Sequence, residues 1–171
     1  MVEDNNKQFD KMIEAYSLSI LPKKNIKLVL IGDGPQKIKL EKWVIEKKLS
    51  ENVIFLGFLN NPFQYLRKSM FTLLTSKNEG LPNLITESLA CGTPVVAFDC
   101  QSGPSELINN RQNGLLVENQ DFDKFRIAMN EMVENTTLYQ YCKSNAFESV
   151  QQFAIEKIGK QWLDYLQIKQ N

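Results

Sequence analysis

One run of 22 residues, SKNEGLPNLITESLACGTPVVA at positions 76–97, constrains the fold of this chain more than any other part of it. The preceding run, MFTLLT at 70–75, is apolar and β-prone, which predicts a buried parallel strand. Polar residues ending in Gly80 predict a loop, and Pro82 then opens a helix with apolar residues at helical spacing. TPVVAF at 93–98 predicts the next buried strand. The run therefore predicts a strand, loop, helix and strand in succession, which is the repeating unit of an α/β fold.

Two glutamates flank the predicted start of this helix. A helix N-terminus after a glycine-bearing loop offers backbone N–H groups and a positive dipole end to an anion such as phosphate. Glu79 precedes the helix, and Glu87 lies about one and a half turns inside it. Because carboxylates accept hydrogen bonds from ribose or sugar hydroxyls, the pattern predicts a nucleotide sugar as ligand. The alternative is that Glu79 is a solvated loop charge and Glu87 a surface helix residue.

Further strands and helices alternate along the chain. Strand patterns occur at IKLVLI, VIFLGF and LLV, and amphipathic helical patterns cover residues 7–20, 38–49, 121–134, 136–147 and 153–166. The alternation predicts one parallel sheet of at least four strands with helices on both faces, a Rossmann-like three-layer α/β sandwich. Ligand contacts then belong at the carboxyl ends of the strands, where Gly34, Glu79 and Asp99 fall. We expect the apolar stripe of the last helix, which includes Trp162, to pack in the core; the alternative is that part of the stripe is exposed.

Composition narrows the classes of function. The 171 residues suffice for one domain and are too few for two Rossmann-like domains. The 20 basic and 20 acidic residues balance, which disfavours a nucleic-acid partner. The absence of histidine excludes Ser-His-Asp and Cys-His mechanisms and a histidine-ligated metal within this chain. The three cysteines have no metal-ligand spacing, and the sequence has no apolar span or signal-peptide pattern. These observations predict reduced thiols in a cytoplasmic protein.

The run EGLPNLITESLACGTPVVAFD, with its two glutamates, closely resembles the signature of retaining glycosyltransferases of family four. The resemblance continues through IGDGP, VIFLGF, DCQSGPSELI and NGLLVE, at 31–35, 53–58, 99–108 and 113–118. Those enzymes have the GT-B fold, in which two Rossmann-like domains enclose the active site. The resemblance implies that residues 1–171 form a single nucleotide-sugar-binding domain, the carboxyl-terminal half of such an enzyme. Its acceptor domain and the first strand of this half are expected to be absent from the sequence.

The resemblance also implies roles for individual residues. Glu79 is the expected catalytic residue, close to the sugar hydroxyls and the anomeric carbon, and Glu87 is expected to hold the ribose. The other expected donor contacts surround the diphosphate or the base: Lys7, Gly34, Gly57, Phe58, Gly80, Leu81, Pro82, Asn83 and Leu84. Gly34 and Gly57 are also explained as ordinary turn glycines. An arginine that family members usually place before Lys7 to bind the diphosphate has no counterpart here.

The function implied by the resemblance is sugar transfer, with neither a metal nor a cofactor. We expect the complete enzyme to move a hexose or N-acetylhexosamine from a nucleotide diphosphate sugar, a UDP-sugar, to a glycan or lipid-linked acceptor at the inner face of the membrane. This chain alone is expected to be inactive, because the acceptor site lies in the other domain. Two alternatives stay open: a non-catalytic nucleotide-sugar-binding module or subunit completed by another chain, and a sugar-nucleotide epimerase of similar two-domain fold.

Overall fold

The computed structural model describes residues 5–166. Strands and helices alternate along this range, as predicted. The strands are β1 (Leu28–Ile31), β2 (Val53–Gly57), β3 (Thr72–Leu74), β4 (Val95–Asp99) and β5 (Gly114–Glu118). The helices are α1 (Phe9–Ser17), α2 (Lys37–Glu46), α3 (Phe63–Lys68), α4 (Asn83–Ala90), α5 (Pro104–Leu107), α6 (Phe122–Glu134), α7 (Thr136–Ser149) and α8 (Ile155–Tyr165). Within the described range, no helix combines the length and apolarity needed to cross a bilayer.

The strands form two separately hydrogen-bonded parallel sheets. One contains β1 and β2, and the other has the order β3, β4, β5. β3 and β4 are neighbours as predicted, with Thr72 opposite Val95. The prediction of one sheet with at least four strands is wrong for the described residues. A groove lined by residues of both β1 and β3 lies between the facing edges of the two sheets, and no strand of the described residues fills it.

Helix α1 fixes the direction of one sheet relative to the other. Its amino end is held at the carboxyl end of β3, where Gln8 Nε2 donates to the carbonyl oxygen of Thr75 at 2.8 Å. Its carboxyl end lies at the amino end of β1, where the Tyr16 hydroxyl donates to the carbonyl oxygen of Ile26 at 2.7 Å. Strands β1 and β3 therefore begin at the same end of the domain and run in the same direction. The loops that follow the strands consequently share one edge of the molecule.

Alternate residues of β4 face opposite sides of the sheet. Val96 and Phe98 belong to a core formed with α1, α2, α6 and α7. Val95 and Ala97 belong to a second core, formed with α4, α5 and the end of α7. All four side chains are fully buried. Helices therefore cover both faces, which confirms the predicted three-layer α/β arrangement.

The last helix departs from its prediction. None of the described side chains of α8 is buried, and Trp162 is 60% exposed. Its contacts are mainly with the preceding turn, Gln151–Phe153. The expectation that its apolar stripe packs in the core is therefore wrong. Since α6 and α7 already cover the cores, α8 continues past them with its stripe facing solvent.

Candidate functional site

The loop after β3 is tied to the segment that leads into α1. The Lys77 amide donates to the carbonyl oxygen of Asn6 at 2.9 Å. The Asn6 side chain donates to the carbonyl oxygen of Asn78 at 2.9 Å and accepts from its amide at 3.1 Å. The Thr75 hydroxyl donates to the carbonyl oxygen of Lys7 at 2.8 Å. These hydrogen bonds fix the loop, and sequence analysis missed them because the polar segment at 5–8 carries no periodic signal.

Lys7 and Glu79, two of the expected donor contacts, meet as an ion pair. Lys7 Nζ lies 2.6 Å from a carboxylate oxygen of Glu79. The Glu79 side chain is only 12% exposed, whereas that of Lys7 is 51% exposed. The carboxylate is thus held by the domain while the ammonium group reaches solvent. The Lys7 end of the pair is therefore accessible to a ligand.

The loop after β4 lies beside the loop that carries Glu79. Asn78 and Gln101 form an isolated parallel bridge, which extends the pairing of β3 and β4 beyond their ends. Burial, and next the negative charge of Glu79, raises the pKa of the Cys100 thiol above its ordinary value. Cys100 therefore stays protonated at neutral pH, as expected of a packing residue. The bridge between Asn78 and Gln101 also places the neighbouring Glu79 near the end of β4.

Gly103 braces the loop that precedes α4. Its φ of 99° lies in the region that favours glycine. A Cβ atom at this position would lie 2.4 Å from Pro82 Cδ and 2.8 Å from the carbonyl oxygen of Gly80. The loops after β3 and β4 are therefore in direct contact. Gly103 lies within the DCQSGPSELI run, and no spacing rule predicts its contact with Pro82.

The start of α4 is exposed and lacks a side-chain cap. The helix begins at Asn83, one residue later than predicted, with Pro82 before it. No side chain in residues 5–166 caps this end, and Leu81 is exposed beside it. Leu84 differs from the other expected contacts because its side chain packs against the second core and lines the groove beside β1. Only the backbone of Leu84 is therefore placed to meet a ligand at the helix start.

Glu87 lies on the second turn of α4. Its side chain is half-buried. Among residues 5–166, its carboxylate has no hydrogen-bond or ion-pair partner, in contrast to that of Glu79. A half-buried carboxylate without a protein partner is suited to accept hydrogen bonds from ligand hydroxyls.

The remaining expected contacts follow β1 and β2 at the same edge. The Gly32 amide donates to the carbonyl oxygen of Gly57 at 2.8 Å, which joins the two strand ends. Gly57 has a φ of 68° and Gly32 a φ of 129°, whereas Gly34 does not have a positive φ. The turn explanation therefore applies to Gly57 and not to Gly34. Phe58 is 76% exposed and presents an aromatic ring at this edge.

The structure gathers the expected residues in two groups at one edge. One group surrounds the ends of β3 and β4 and the start of α4, and includes Lys7, Glu79 and Pro82. The other follows β1 and β2, and includes Gly34, Gly57 and Phe58. Ligands of doubly wound α/β domains bind at this edge. Fold and site thus define a ligand-binding half of the Rossmann-like class.

The matches to known proteins identify the family. The family described as glycosyl transferases group 1 matches residues 4–149, and the chain belongs to it. A relative from Campylobacter jejuni, N-acetylgalactosamine-N,N'-diacetylbacillosaminyl-diphospho-undecaprenol 4-alpha-N-acetylgalactosaminyltransferase, is 36% identical over 163 residues. That match covers 95% of this chain and 44% of the relative.

Two solved structures show the same fold. A mutant of TarM from Staphylococcus aureus, in complex with fondaparinux, alpha-GlcNAc-glycerol and UDP, has a TM-score of 0.85 and 30% identity, covering 93% of this chain and 32% of TarM. Alr3699/HepE from Anabaena, in complex with UDP-glucose, has a TM-score of 0.85 and 26% identity, covering 96% of this chain and 46% of HepE. The chain spans less than half the length of all three proteins. The resemblance and the Rossmann-like half of a GT-B glycosyltransferase are confirmed.

Proposed function

We propose that this domain binds the donor of a retaining glycosyltransferase that builds cell-surface polysaccharide or glycolipid. The donor is a UDP-sugar taken from the cytoplasm, and the acceptor is a glycan or a lipid-linked sugar at the inner face of the membrane. The observation that carries the proposal is the Lys7–Glu79 pair beside the uncapped start of α4. Its support is the family match, the UDP and UDP-glucose named with the similar structures, and the lipid-linked substrate named for the Campylobacter relative.

When the donor binds, its diphosphate replaces Glu79 as the partner of Lys7. Without donor, Lys7 neutralises Glu79. A diphosphate at the start of α4 carries more charge than one carboxylate and is a stronger partner for an ammonium group. The half-exposed Lys7 turns to the diphosphate, assisted by the positive end of the α4 dipole. Glu79, held by the hydrogen-bonded loop, is then free to accept hydrogen bonds from the sugar hydroxyls near the anomeric carbon.

The nucleoside occupies the positions on either side of the diphosphate. Glu87 accepts hydrogen bonds from the ribose hydroxyls, because its carboxylate is half-buried and has no partner within residues 5–166. Gly57 and Phe58 contact the base, with the exposed ring of Phe58 offering a stacking surface. Retention of configuration follows from the resemblance, in which the leaving phosphate assists attack on the same face of the sugar.

Calorimetry tests the proposed donor. The chain is titrated with UDP, UDP-glucose, UDP-N-acetylglucosamine and, for comparison, GDP-mannose. We expect binding of the uridine compounds and weaker binding of the guanosine compound. Failure of every compound to bind at millimolar concentration would contradict the proposal.

A second candidate is a nucleotide-sugar-binding module without transferase activity of its own. It is favoured by the site itself, in which all the expected contacts, from Lys7 to Glu87, are contacts to the donor. Both candidates predict UDP binding and no turnover by this chain alone. They differ when the chain is joined to an acceptor domain. Sugar transfer by the joined protein, with product configuration read by NMR, supports the transferase; donor binding without transfer supports the module.

A further inference from the structure

Lys7, which we place at the donor diphosphate, is followed by a residue in a strained backbone conformation. Gln8 has a φ of 52° and a ψ of 42°, in the left-handed region that residues other than glycine rarely adopt. α1 begins immediately after it, at Phe9. The direction of the chain therefore changes between the segment that carries Lys7 and the helix. Such a conformation persists only where other contacts hold it.

Thr75, which directly follows β3, supplies two of these contacts. Its hydroxyl donates to the carbonyl oxygen of Lys7 at 2.8 Å. Its own carbonyl oxygen accepts a hydrogen bond from Gln8 Nε2, also at 2.8 Å. One residue at the end of the sheet thus binds both the peptide group before the left-handed residue and the side chain of that residue.

Both residues that form these hydrogen bonds are buried. Thr75 is 1% exposed and Gln8 is 0% exposed. Water does not readily replace a hydrogen bond at such a position, so the loss of either bond leaves a polar group unsatisfied. Gln8 Oε1 is also buried and has no hydrogen-bond partner within residues 5–166. An apolar side chain would avoid that cost, so the contribution of the Gln8 amide is its Nε2 donor.

The side chain of Lys7 has no comparable restraint. It is 51% exposed, and within residues 5–166 its ammonium group pairs with Glu79 alone, at 2.6 Å. A lysine ammonium group lies at the end of a flexible four-carbon stem. The volume that this group can reach therefore depends on where the backbone of Lys7 is held. This dependence becomes greater when a donor replaces Glu79 as the partner.

We propose that Thr75 and Gln8 are positioning residues for Lys7. Their two hydrogen bonds fix the backbone of Lys7 and the left-handed turn after it, so the ammonium group stays within reach of both Glu79 and the start of α4. Neither Thr75 nor Gln8 contacts the donor; both act through Lys7. The inference rests on the proposed function, in which Lys7 binds the donor diphosphate.

Thr75→Val tests the proposal, because it keeps the shape of the side chain and removes the hydroxyl donor. Thr93→Val is the matched control. Thr93 is 2% exposed, and its hydroxyl donates to the carbonyl oxygen of Leu66 at 2.7 Å, at the opposite end of the sheet. By calorimetry, we expect Thr75→Val to weaken UDP binding about fivefold or more and Thr93→Val less than about twofold. Equal losses in the two variants would overturn the proposal.

A double-mutant cycle separates positioning of Lys7 from a general structural role. In a Lys7→Met background, Thr75→Val should weaken UDP binding by less than about twofold, because the group that Thr75 positions is gone. An undiminished loss in that background would show that Thr75 does not act through Lys7, and the proposal would be wrong. If Lys7→Met alone leaves UDP affinity unchanged, the role of Lys7 in the proposed function fails, and this proposal fails with it.

Two further variants keep the test decisive if Thr75→Val does not fold. Thr75→Ser keeps the hydroxyl and should bind UDP within about twofold of the unsubstituted chain. Gln8→Met has a side chain of similar length but no donor. It should weaken UDP binding about threefold or more, and only while Lys7 is present. A loss in Thr75→Ser of about fivefold or more, or unchanged affinity in Gln8→Met, would overturn the proposal.

Discussion

Gly103 lies so close to Pro82 that a Cβ atom at position 103 would stand 2.4 Å from the Cδ atom of the proline ring. Real Cβ atoms do not approach other atoms so closely, so any larger residue must push the two loops apart. The start of α4, where we place the donor diphosphate, is therefore positioned by a residue in the next loop.

The first prediction concerns this contact. Gly103→Ala should move the loop of Gly80 and Pro82 and weaken UDP binding by roughly tenfold, because phosphate contacts depend on the orientation of the helix start. It should also destabilise the domain by about 1–3 kcal/mol, from steric overlap and from the positive φ. Calorimetry and denaturant unfolding measure the two effects.

Gly92→Ala is the matched control for Gly103→Ala. Gly92 also has a positive φ, 74°, but its added Cβ would meet no atom within 4 Å. It should lower stability through φ strain, by about 1 kcal/mol, and leave UDP affinity unchanged. If both variants weaken UDP binding equally, the loss reflects general destabilisation and the positioning role of Gly103 is wrong.

The second prediction concerns Glu87. Glu87→Gln keeps the shape of the side chain and removes its charge, so it should weaken UDP binding by about 1.5–3 kcal/mol, the range for a charged hydrogen bond. Stability should change by no more than about 0.5 kcal/mol, since the two residues have similar helix propensity. Glu41→Gln, on α2, is the control. Unchanged UDP affinity in both variants would make Glu87 a surface helix residue.

The third prediction concerns Lys7. Lys7→Met should weaken UDP binding by about tenfold or more and reduce its dependence on salt, because one phosphate-binding charge is lost. Binding of uridine, which has no phosphate, should not change. Lys23→Met, in the turn at the other end of α1, serves as the control. A loss of affinity that is the same for uridine and UDP would place Lys7 outside the diphosphate site.

The fourth prediction concerns pH. Burial raises the pKa of Tyr16 to about 12, whereas an unfolded tyrosine titrates near 10. Between these values the unfolded chain releases a proton that the folded chain retains, so the stability contribution is complete below pH 10 and lost as pH rises towards 12. Tyr16→Phe should lower the free energy of unfolding by about 1 kcal/mol at pH 8, because the hydrogen bond to Ile26 is lost. As the pH rises above 10, this variant should lose less further stability than the unsubstituted chain.

Denaturant unfolding at several pH values checks this prediction. The buried thiols of Cys100 and Cys142 also have raised pKa values, and they contribute to the alkaline loss of stability in both proteins. The difference between the two pH profiles therefore isolates Tyr16. Parallel profiles between pH 10 and 12 would show that the Tyr16 hydroxyl titrates alike in the folded and unfolded chains.

The sequence predicted those features that depend on local patterns. The two apolar runs predicted strands β3 and β4, because a buried strand needs a continuous apolar segment. The two strands are neighbours, as predicted. Glu79 and Glu87 were located relative to α4 within one residue, since Pro82 marks a helix start.

Features that depend on distant contacts were not predicted. Asn6 and Asn78 are hydrogen-bonded although they are 72 positions apart, and neither residue type signals such a partner. Gly114, the first residue of β5, is required by close approach, because a Cβ atom there would lie 2.3 Å from the carbonyl oxygen of Val95, and nothing in the local sequence signals this neighbour. Core packing of the α8 stripe was preferred to its exposure, and the preference was wrong, because an apolar stripe has the same pattern whether or not a partner covers it.

The hydrogen bonds between the segment at 5–8 and residues 75–78 have a mechanical consequence. They link the amino end of the described chain to the loop of Glu79, while the Asn5 side chain donates to the carboxylate of Asp10 on α1. A force applied at Asn5 is therefore passed both to α1 and to the loop of Glu79. Movement of any structure attached at that end would therefore act on the loop that carries the Lys7–Glu79 pair.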